Sequence, residues 1–219
     1  MRGAIRYAVA VGNPNKPNVA AAELWSMIGE RGRPDADVAA VDKKIWDRFG
    51  CRRAVMFTDL SGFSRQTETF GILHFLHVIC AQRGLFFPIL AKYDGQLLKE
   101  EGDSFMIVFP SIVAAFDCAV AMQHATFAHN ATRPADEHVL LCLGLGWGDV
   151  LLIDDEDVWG REVNVASKLG EDTAKAGQIL MSGAACAALG DRPDVTFRPV
   201  DERFSAADQN FEAIYPRQI

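Results

Sequence analysis

The spacing of apolar and polar positions changes near residue 50. Before it, residues 35–50 repeat apolar side chains at intervals of three and four, which is typical of one face of an α-helix. These apolar positions are Val38, Val41, Ile45 and Phe49. A second helical pattern covers residues 19–31. We therefore predict a helical extension over residues 1–51 and a main domain over residues 52–219.

Within the main domain, strand-like and helix-like segments alternate. Residues 53–59 indicate a buried strand, and a helical stretch over about 65–92 follows, with an expected interruption near Gly84 and Pro88. The later segments are two strands in 95–110 around a turn at Gly102, a helix over 111–130, two strands in 139–154 with a bend at the glycines, a helix over 160–175, a strand over 178–181, a short helix over 182–189 and two short final strands. This β-α-β-β-α-β order with additional C-terminal strands predicts an α+β fold of the ferredoxin-like type. Such a fold has an antiparallel sheet with helices packed on one face.

Composition and charge narrow the classes of partner. The chain has 219 residues and a formal net charge of −7, which disfavours broad contact with nucleic acid or an anionic membrane. No run approaches the ~18 apolar residues of a membrane span, so we expect no membrane insertion. The five cysteines are scattered without a Cys-x-x-Cys pair, which favours free thiols and a cytoplasmic location.

Two carboxylates stand where strands meet turns. Asp59 ends the first predicted strand, and Asp103 lies where a later strand begins. The first and third strands of this fold are usually neighbours, so we expect the two acids to lie side by side and to suit Mg²⁺. Alternatively, each acid caps a helix or a turn. The backbone N–H groups of Gly62, Phe63 and Ser64 begin a helix there and would suit phosphate.

Three segments resemble the signatures of one family, the class III nucleotide cyclases. The segment FTDLSGFS (57–64) looks like their first metal-binding segment, and KEEGDSFMIVF (99–109) resembles their Lys-x-x-Gly-Asp hairpin. In DVWGREVNVASKL (157–169), an Asp is followed seven residues later by Asn, as in their third signature. The resemblance covers about 52–216 and implies the ferredoxin-like cyclase core.

The resemblance implies a two-metal site. Asp59 and Asp103 match the aspartates that hold two Mg²⁺ ions per site, and the carbonyl of Leu60 is expected to help. Mn²⁺ is the expected substitute. The metals would activate the ribose 3′-hydroxyl toward the α-phosphate and neutralise the leaving pyrophosphate.

The resemblance also implies a base-reading pair. Lys99 and Asp157 match the residues that read adenine, the first as a donor to a ring nitrogen and the second as an acceptor from the 6-amino group. Asn164 matches the residue that orients the ribose. Family members work as homodimers, in which one protomer supplies the metal aspartates and the other supplies the base-reading pair and Asn164.

The chain departs from the family pattern at two positions. Lys168 stands where the family usually has Arg, which keeps the charge but loses the planar bidentate fork. The family often has a Lys near the last hairpin that grips the terminal phosphates, whereas this chain has no Lys after Lys175. Arg203 is the nearest candidate for that role.

These observations predict an adenylate cyclase that converts ATP to 3′,5′-cyclic AMP and pyrophosphate. One alternative is a cyclase for another nucleotide, either GTP or a pyrimidine nucleotide in phage defence, because cytosine also presents an amino group beside a ring acceptor. A second alternative is a catalytically silent cyclase-like module for dimerisation or nucleotide sensing, which Lys168 and the missing C-terminal Lys would favour.

Overall fold

The computed structural model describes residues 18–201 and 209–215, without the side chains of residues 63–66. The helices of these residues are α1 (Val19–Arg31), α2 (Val38–Phe49), α3 (Phe63–Phe70), α4 (Ile72–Lys92), α5 (Ile112–Asn130), α6 (Arg161–Ser167) and α7 (Gly183–Leu189). The strands are β1 (Gly50–Leu60), β2 (Gln96–Glu101), β3 (Ser104–Phe109), β4 (Leu141–Ile153), β5 (Asp157–Trp159), β6 (Ile179–Ser182), β7 (Thr196–Val200) and β8 (Asn210–Ile214). A π-helical turn, Lys168–Thr173, continues α6, and a short 3₁₀ helix covers Ala135–Glu137.

The strands form one sheet in the order β2-β3-β1-β4-β6-β8-β7, with β5 paired to β4. The neighbouring positions of β1 and β3 confirm the predicted α+β order, and their antiparallel register sets Thr58 opposite Phe105. β4 and β6 are parallel, however, so the sheet is mixed and the prediction of an antiparallel sheet is wrong at this pair. A parallel pair needs a crossover, which α6 and the π-helical turn provide.

Both faces of the sheet are covered, so the prediction of helices on one face only is also wrong. On one face, Met56 and its neighbours pack with α4 and α5 through Phe86 and Phe116. On the other face, Val55 packs in a smaller cluster with Val163 of α6. The nearly continuous apolar run of β1 is the physical reason, because a strand that is buried on both faces loses the alternation of apolar and polar residues.

β4 is a single strand of 13 residues, so the predicted bend at its glycines is wrong. The glycines instead allow α6 to lie directly against the strand. A Cβ atom at Gly144 would lie 2.2 Å from the Ala166 carbonyl oxygen, and one at Gly146 would lie 2.4 Å from the Glu162 carbonyl oxygen. Close approach of a helix backbone therefore explains this glycine repeat better than a turn does.

The break between the first two helices of the main domain lies at Gly71, not near Gly84 and Pro88 as predicted. Gly71 has φ +85° and ψ 163°, a conformation that side-chain-bearing residues rarely adopt. Pro88 lies inside α4, where burial of Phe86 and Leu90 on either side of it keeps the helix continuous. By length and composition alone α4 could cross a membrane, but part of its surface belongs to the core.

The two N-terminal helices pack beside the sheet. Asn18 and Asp37 cap them with side-chain oxygens that accept hydrogen bonds from Ala21 N–H and Ala40 N–H. Their buried residues form a cluster with the end of β4, made of Ala20, Leu24, Val41, Ile45, Phe49 and Ile153. The division of the chain after residue 51 stays a prediction.

Candidate active site

Asp59 and Asp103 lie together at one edge of the sheet. Asp59 is the penultimate residue of β1, and Asp103 lies in the tight turn between β2 and β3, beside Gly102 with φ +61°. The Leu60 backbone N–H donates to Asp103 Oδ2 at 3.3 Å, and the Ser104 hydroxyl lies 3.5 Å from Asp59 Oδ1. The pairing of β1 with β3 therefore brings the two predicted carboxylates to one place.

The electrostatics of this pair are unfavourable without a cation. Burial, followed by the charge of Asp103, raises the pKa of Asp59 from 3.8 to about 6. Burial also raises the pKa of Asp103, and the charge of Glu171 adds to the rise at both carboxyls. Two half-buried carboxylates with a third nearby carry uncompensated negative charge, which is the environment that a divalent cation would stabilise.

The donor set fits Mg²⁺ or Mn²⁺. The described residues contain no group of three or more His, Cys, Asp or Glu side chains placed to hold one metal ion. Two carboxylates are nevertheless sufficient for Mg²⁺, which keeps several waters and takes its remaining ligands from substrate phosphates. Asp59 and Asp103 would hold the ions. Leu60, the last residue of β1, follows Asp59 directly and donates its N–H to Asp103.

Gln82 supports Asp103 from the opposite side and was not found from the sequence. It is fully buried in α4, and its Nε2 donates to the Asp103 backbone carbonyl at 2.9 Å. Its Oε1 has no hydrogen-bond partner among the described residues. A buried polar residue in an apolar helix is the sequence signal that could have marked it, because such a side chain needs a polar partner.

The structure describes part of the segment predicted to bind phosphate, Gly62, Phe63 and Ser64. Gly62 has φ +89° and directly precedes Phe63, the first residue of α3, so the chain does begin a helix beside Asp59. The side chains of Phe63 and Ser64 lie outside the described residues. Arg203, the candidate for the terminal phosphates, also lies outside them.

The structure also brings Lys99 and Asp157 together. Lys99 Nζ lies 2.8 Å from Asp157 Oδ1, across the gap between β2 and the first residue of β5. A register shift in β2 between Leu97 and Lys99 sets the direction of the lysine. A cavity of about 180 Å³ adjoins the ion pair and is lined by Phe57, Lys99, Glu101, Ser104, Met106 and Glu171.

Asn164 and Lys168 lie one turn apart on the exposed side of α6 and the π-helical turn. Glu162, in the first turn of α6, is only 6% exposed and fixes the start of this helix. The Glu162 carboxylate accepts from Ser182 Oγ at 2.6 Å and from Trp147 N–H at 3.3 Å, and it pairs with Arg161. Glu162 therefore anchors the helix, while Asn164 and Lys168 face outward.

Glu171 is a second residue that the sequence did not indicate. It lies in the π-helical turn, where Leu169 and Gly170 are buried and Gly170 approaches the Phe57 carbonyl. Ser167 Oγ donates to Glu171 Oε2 at 2.5 Å. The turn places this carboxylate in the lining of the cavity beside Lys99, a position that a regular helical spacing does not predict.

The described residues combine a mixed sheet, a carboxylate pair where the end of β1 meets the β2–β3 turn, and an ion pair between β2 and β5. Residues 51–212 match the family of adenylate and guanylate cyclase catalytic domains. The chain belongs to this family and contains a nucleotide cyclase domain. Members of the family use divalent metals and act on nucleoside triphosphates in signal transduction.

Individual relatives differ in the nucleotide that their names state. The chain is 29% identical to "Putative adenylate cyclase 3" of Rhizobium meliloti (strain 1021) over 144 residues, which are 66% of this chain and 24% of that protein. It therefore spans about a quarter of that relative's length. It is similar to the solved adenylate/guanylate cyclase/hydrolase from Silicibacter pomeroyi, with 26% identity, a TM-score of 0.64, and coverage of 75% of this chain and 97% of the other.

The guanylyl cyclase Cya2 shares the fold, with a TM-score of 0.63 at 19% identity, over 75% of this chain and 92% of the other. Because both adenylyl and guanylyl cyclases are among the similar proteins, the fold and family alone do not select the base.

Proposed function

We propose that the protein converts ATP to 3′,5′-cyclic AMP and pyrophosphate. The ion pair between Lys99 and Asp157, at 2.8 Å, carries the proposal. It offers a cationic donor and a carboxylate acceptor side by side, which match the ring nitrogen and the 6-amino group of adenine. Guanine would instead present a carbonyl oxygen to Asp157, and two facing acceptors are costly in a partly buried site.

The reaction forms a bond between the ribose 3′-oxygen and the α-phosphorus and breaks the bond from that phosphorus to the bridging oxygen of the β-phosphate. The proton of the 3′-hydroxyl passes to solvent, and pyrophosphate leaves. Asp59 and Asp103 would hold divalent cations, which when bound would activate the 3′-hydroxyl and neutralise the leaving pyrophosphate. Gly62, which precedes α3, follows Asp59 by three positions.

Asn164 orients the ribose, and Lys168 stabilises charge on the reacting phosphate. Both are exposed, Asn164 on α6 and Lys168 at the start of the π-helical turn, where a second chain could approach them. We infer a homodimer in which Asp59 and Asp103 of one protomer face Lys99, Asp157, Asn164 and Lys168 of the other. A guanylyl cyclase domain of this fold from Blastocladiella emersonii, 18% identical to this chain, has been solved as a non-canonical dimer, so domains of this fold can pair.

A cytidine triphosphate cyclase is the second candidate. Cytosine presents an amino group next to a ring nitrogen, so the Lys99–Asp157 pair would recognise it by the same two hydrogen bonds.

One incubation separates these candidates. The purified protein is mixed with each of the four ribonucleoside triphosphates and Mn²⁺, and cyclic products are identified by mass. We expect cyclic AMP as the main product. Cyclic CMP would select the second candidate, and no cyclic product with any nucleotide would contradict both.

A further inference from the structure

Four consecutive acidic residues, 154–157, form the turn between β4 and β5 and the first position of β5, and three of them contact different segments. Gln96 Nε2 of β2 donates to Asp155 Oδ1 at 2.6 Å. Asn18, the cap of α1, donates from Nδ2 to Glu156 Oε2. Lys99 pairs with Asp157 at 2.8 Å. The turn that presents Asp157 is therefore fixed on one side by β2 and on the other by the N-terminal helix.

A ring contact adds to this attachment. Trp25 of α1 meets Trp159 of β5 edge to face, with ring centroids 6.2 Å apart and planes at 82°. Trp159 follows Asp157 by two residues, so both side chains project from the same face of the strand. Contacts from α1 thus precede and follow Asp157 in the chain.

These contacts are separate from those that hold α1 on the domain. α1 is packed against β4 by Ala20 and Leu24, which are buried in a cluster with Ile153. Trp25 is 59% exposed and Trp159 is 49% exposed, so their rings add little to that buried cluster. Asn18 belongs to both sets of contacts. Its Oδ1 accepts from Ala21 N–H and caps α1, and its Nδ2 donates to Glu156.

We propose that α1 is a positioning element for the nucleobase site: Asn18 and Trp25 hold the β4–β5 turn so that Asp157 faces Lys99. This inference rests on the proposed function, in which Asp157 reads the base. Removal of these contacts lets the turn move, so base recognition weakens while the metal-binding carboxylates on β1 and the β2–β3 turn keep their places. α1 thereby influences the affinity for the substrate.

The test compares Trp25→Ala with Trp46→Ala in the full chain. Trp46 is a matched control because it is 47% exposed on α2, with its ring over Gly50 at the start of β1. We expect Trp25→Ala to raise KM for ATP about two- to tenfold, the range of one aromatic pair, with kcat changed less. Trp25→Phe should restore KM, and Trp46→Ala should leave it near wild type.

Two further variants separate positioning from helix stability. Asn18→Asp keeps an N-cap oxygen for α1 but sets a second carboxylate against Glu156, so we expect it to raise KM as well. In a Trp159→Ala background, Trp25→Ala should have no additional effect, because the contact is already lost. A full additional effect in that background would overturn the proposal, as would equal effects of Trp25→Ala and Trp46→Ala.

A readout without nucleotide distinguishes failure of this inference from failure of the proposed function. Amide hydrogen exchange of residues 154–159 is measured in the metal-free and nucleotide-free protein. We expect Trp25→Ala to speed this exchange severalfold while exchange in β1 stays unchanged. Unchanged exchange in 154–159 would overturn the inference, and so would faster exchange without a change in KM. A wild-type protein that cyclises no nucleotide would contradict the proposed function, whereas the exchange result would still decide whether α1 holds the turn.

Discussion

The carboxylate pair Asp59–Asp103 and the ion pair Lys99–Asp157 belong to the same sheet, yet their electrostatics are opposite. The carboxylates are like charges with little exposure, and burial and mutual repulsion raise the pKa of Asp59 to about 6. The ion pair is already neutralised within the chain at 2.8 Å, with the two side chains 42% and 27% exposed.

The two pairs therefore differ in whether their charges are neutralised before a ligand binds. If the carboxylate pair holds a cation as proposed, the free-energy cost of its buried negative charge favours metal binding. The ion pair is complete without a ligand, so a base must replace part of an existing contact to bind there. We therefore expect metal binding to determine the rate and the ion pair to determine selectivity.

The largest effect should follow from changes in the carboxylate pair. Asp59→Asn or Asp103→Asn should each lower the cyclisation rate by about 10²-fold or more, because the metals position and activate the nucleophile. Asp149→Asn is the matched control, since Asp149 lies in an exposed ion pair with Arg52. Cyclic product per minute is measured for all three variants, and near-normal activity in either site variant would remove the two-metal interpretation.

A smaller effect is expected from exchange of the ion pair. Lys99→Glu combined with Asp157→Cys should lower the use of ATP relative to GTP by about 10-fold or more, because each mismatched polar group costs roughly 1–3 kcal/mol. The ratio of kcat/KM for the two nucleotides is the measurement. A wild-type protein that already prefers GTP would show that the base assignment is wrong.

Lys168 should act on the transition state more than on substrate binding. Lys168→Ala should lower kcat by about 10-fold with a smaller rise in KM, since a hydrogen bond to a charged group contributes roughly 1.5–3 kcal/mol. Lys168→Arg should keep the activity, and Lys175→Ala serves as a control for loss of a nearby charge. A change confined to KM would make Lys168 a ground-state phosphate contact.

The smallest effect concerns how the free energy of unfolding of the metal-free protein depends on pH. The pKa of Asp59 is about 6 in the folded protein and near 3.8 when unfolded, so between these values the unfolded state binds fewer protons. The free energy of unfolding should therefore fall as pH rises from about 4 to 6, by on the order of 1–2 kcal/mol for a half-buried group. Asp59→Asn should flatten this part of the profile, and excess Mg²⁺ should recover part of the loss. Denaturant unfolding of the wild type and of Asp59→Asn across this pH range measures the Asp59 contribution as their difference. A difference that does not fall as pH rises would contradict the assigned pKa.

The sequence predicted the parts of the site that depend on strand order. Once β1 and β3 are neighbours, Asp59 and Asp103 must meet, and the hairpin signature places Asp103 in a turn. Lys99 and Asp157 were paired through the family resemblance alone, because a contact between residues 58 positions apart in the chain leaves no local pattern.

What the sequence did not reveal depends on backbone detail. The glycines of β4 look like a bend, although Gly144 and Gly146 instead admit a helix at close range. The π-helical turn that places Glu171 in the cavity lining shifts the helical spacing by one residue, which periodicity alone does not detect. The contact between Asn18 and Glu156 joins segments 138 positions apart and likewise has no local signature.

In the proposed homodimer, each catalytic site takes the carboxylate pair from one chain and the ion pair from its partner. Asp59→Ala and Lys99→Ala homodimers are prepared separately and assayed with ATP. The first should be nearly inactive and the second should use ATP poorly, because both sites of each homodimer carry the same defect. The two variants are then mixed under conditions in which subunit exchange is verified. In the heterodimer one site carries both defects and the other carries neither. We therefore expect each heterodimer to recover up to about half the activity of a wild-type dimer. A mixture that exchanges subunits yet stays inactive would contradict it.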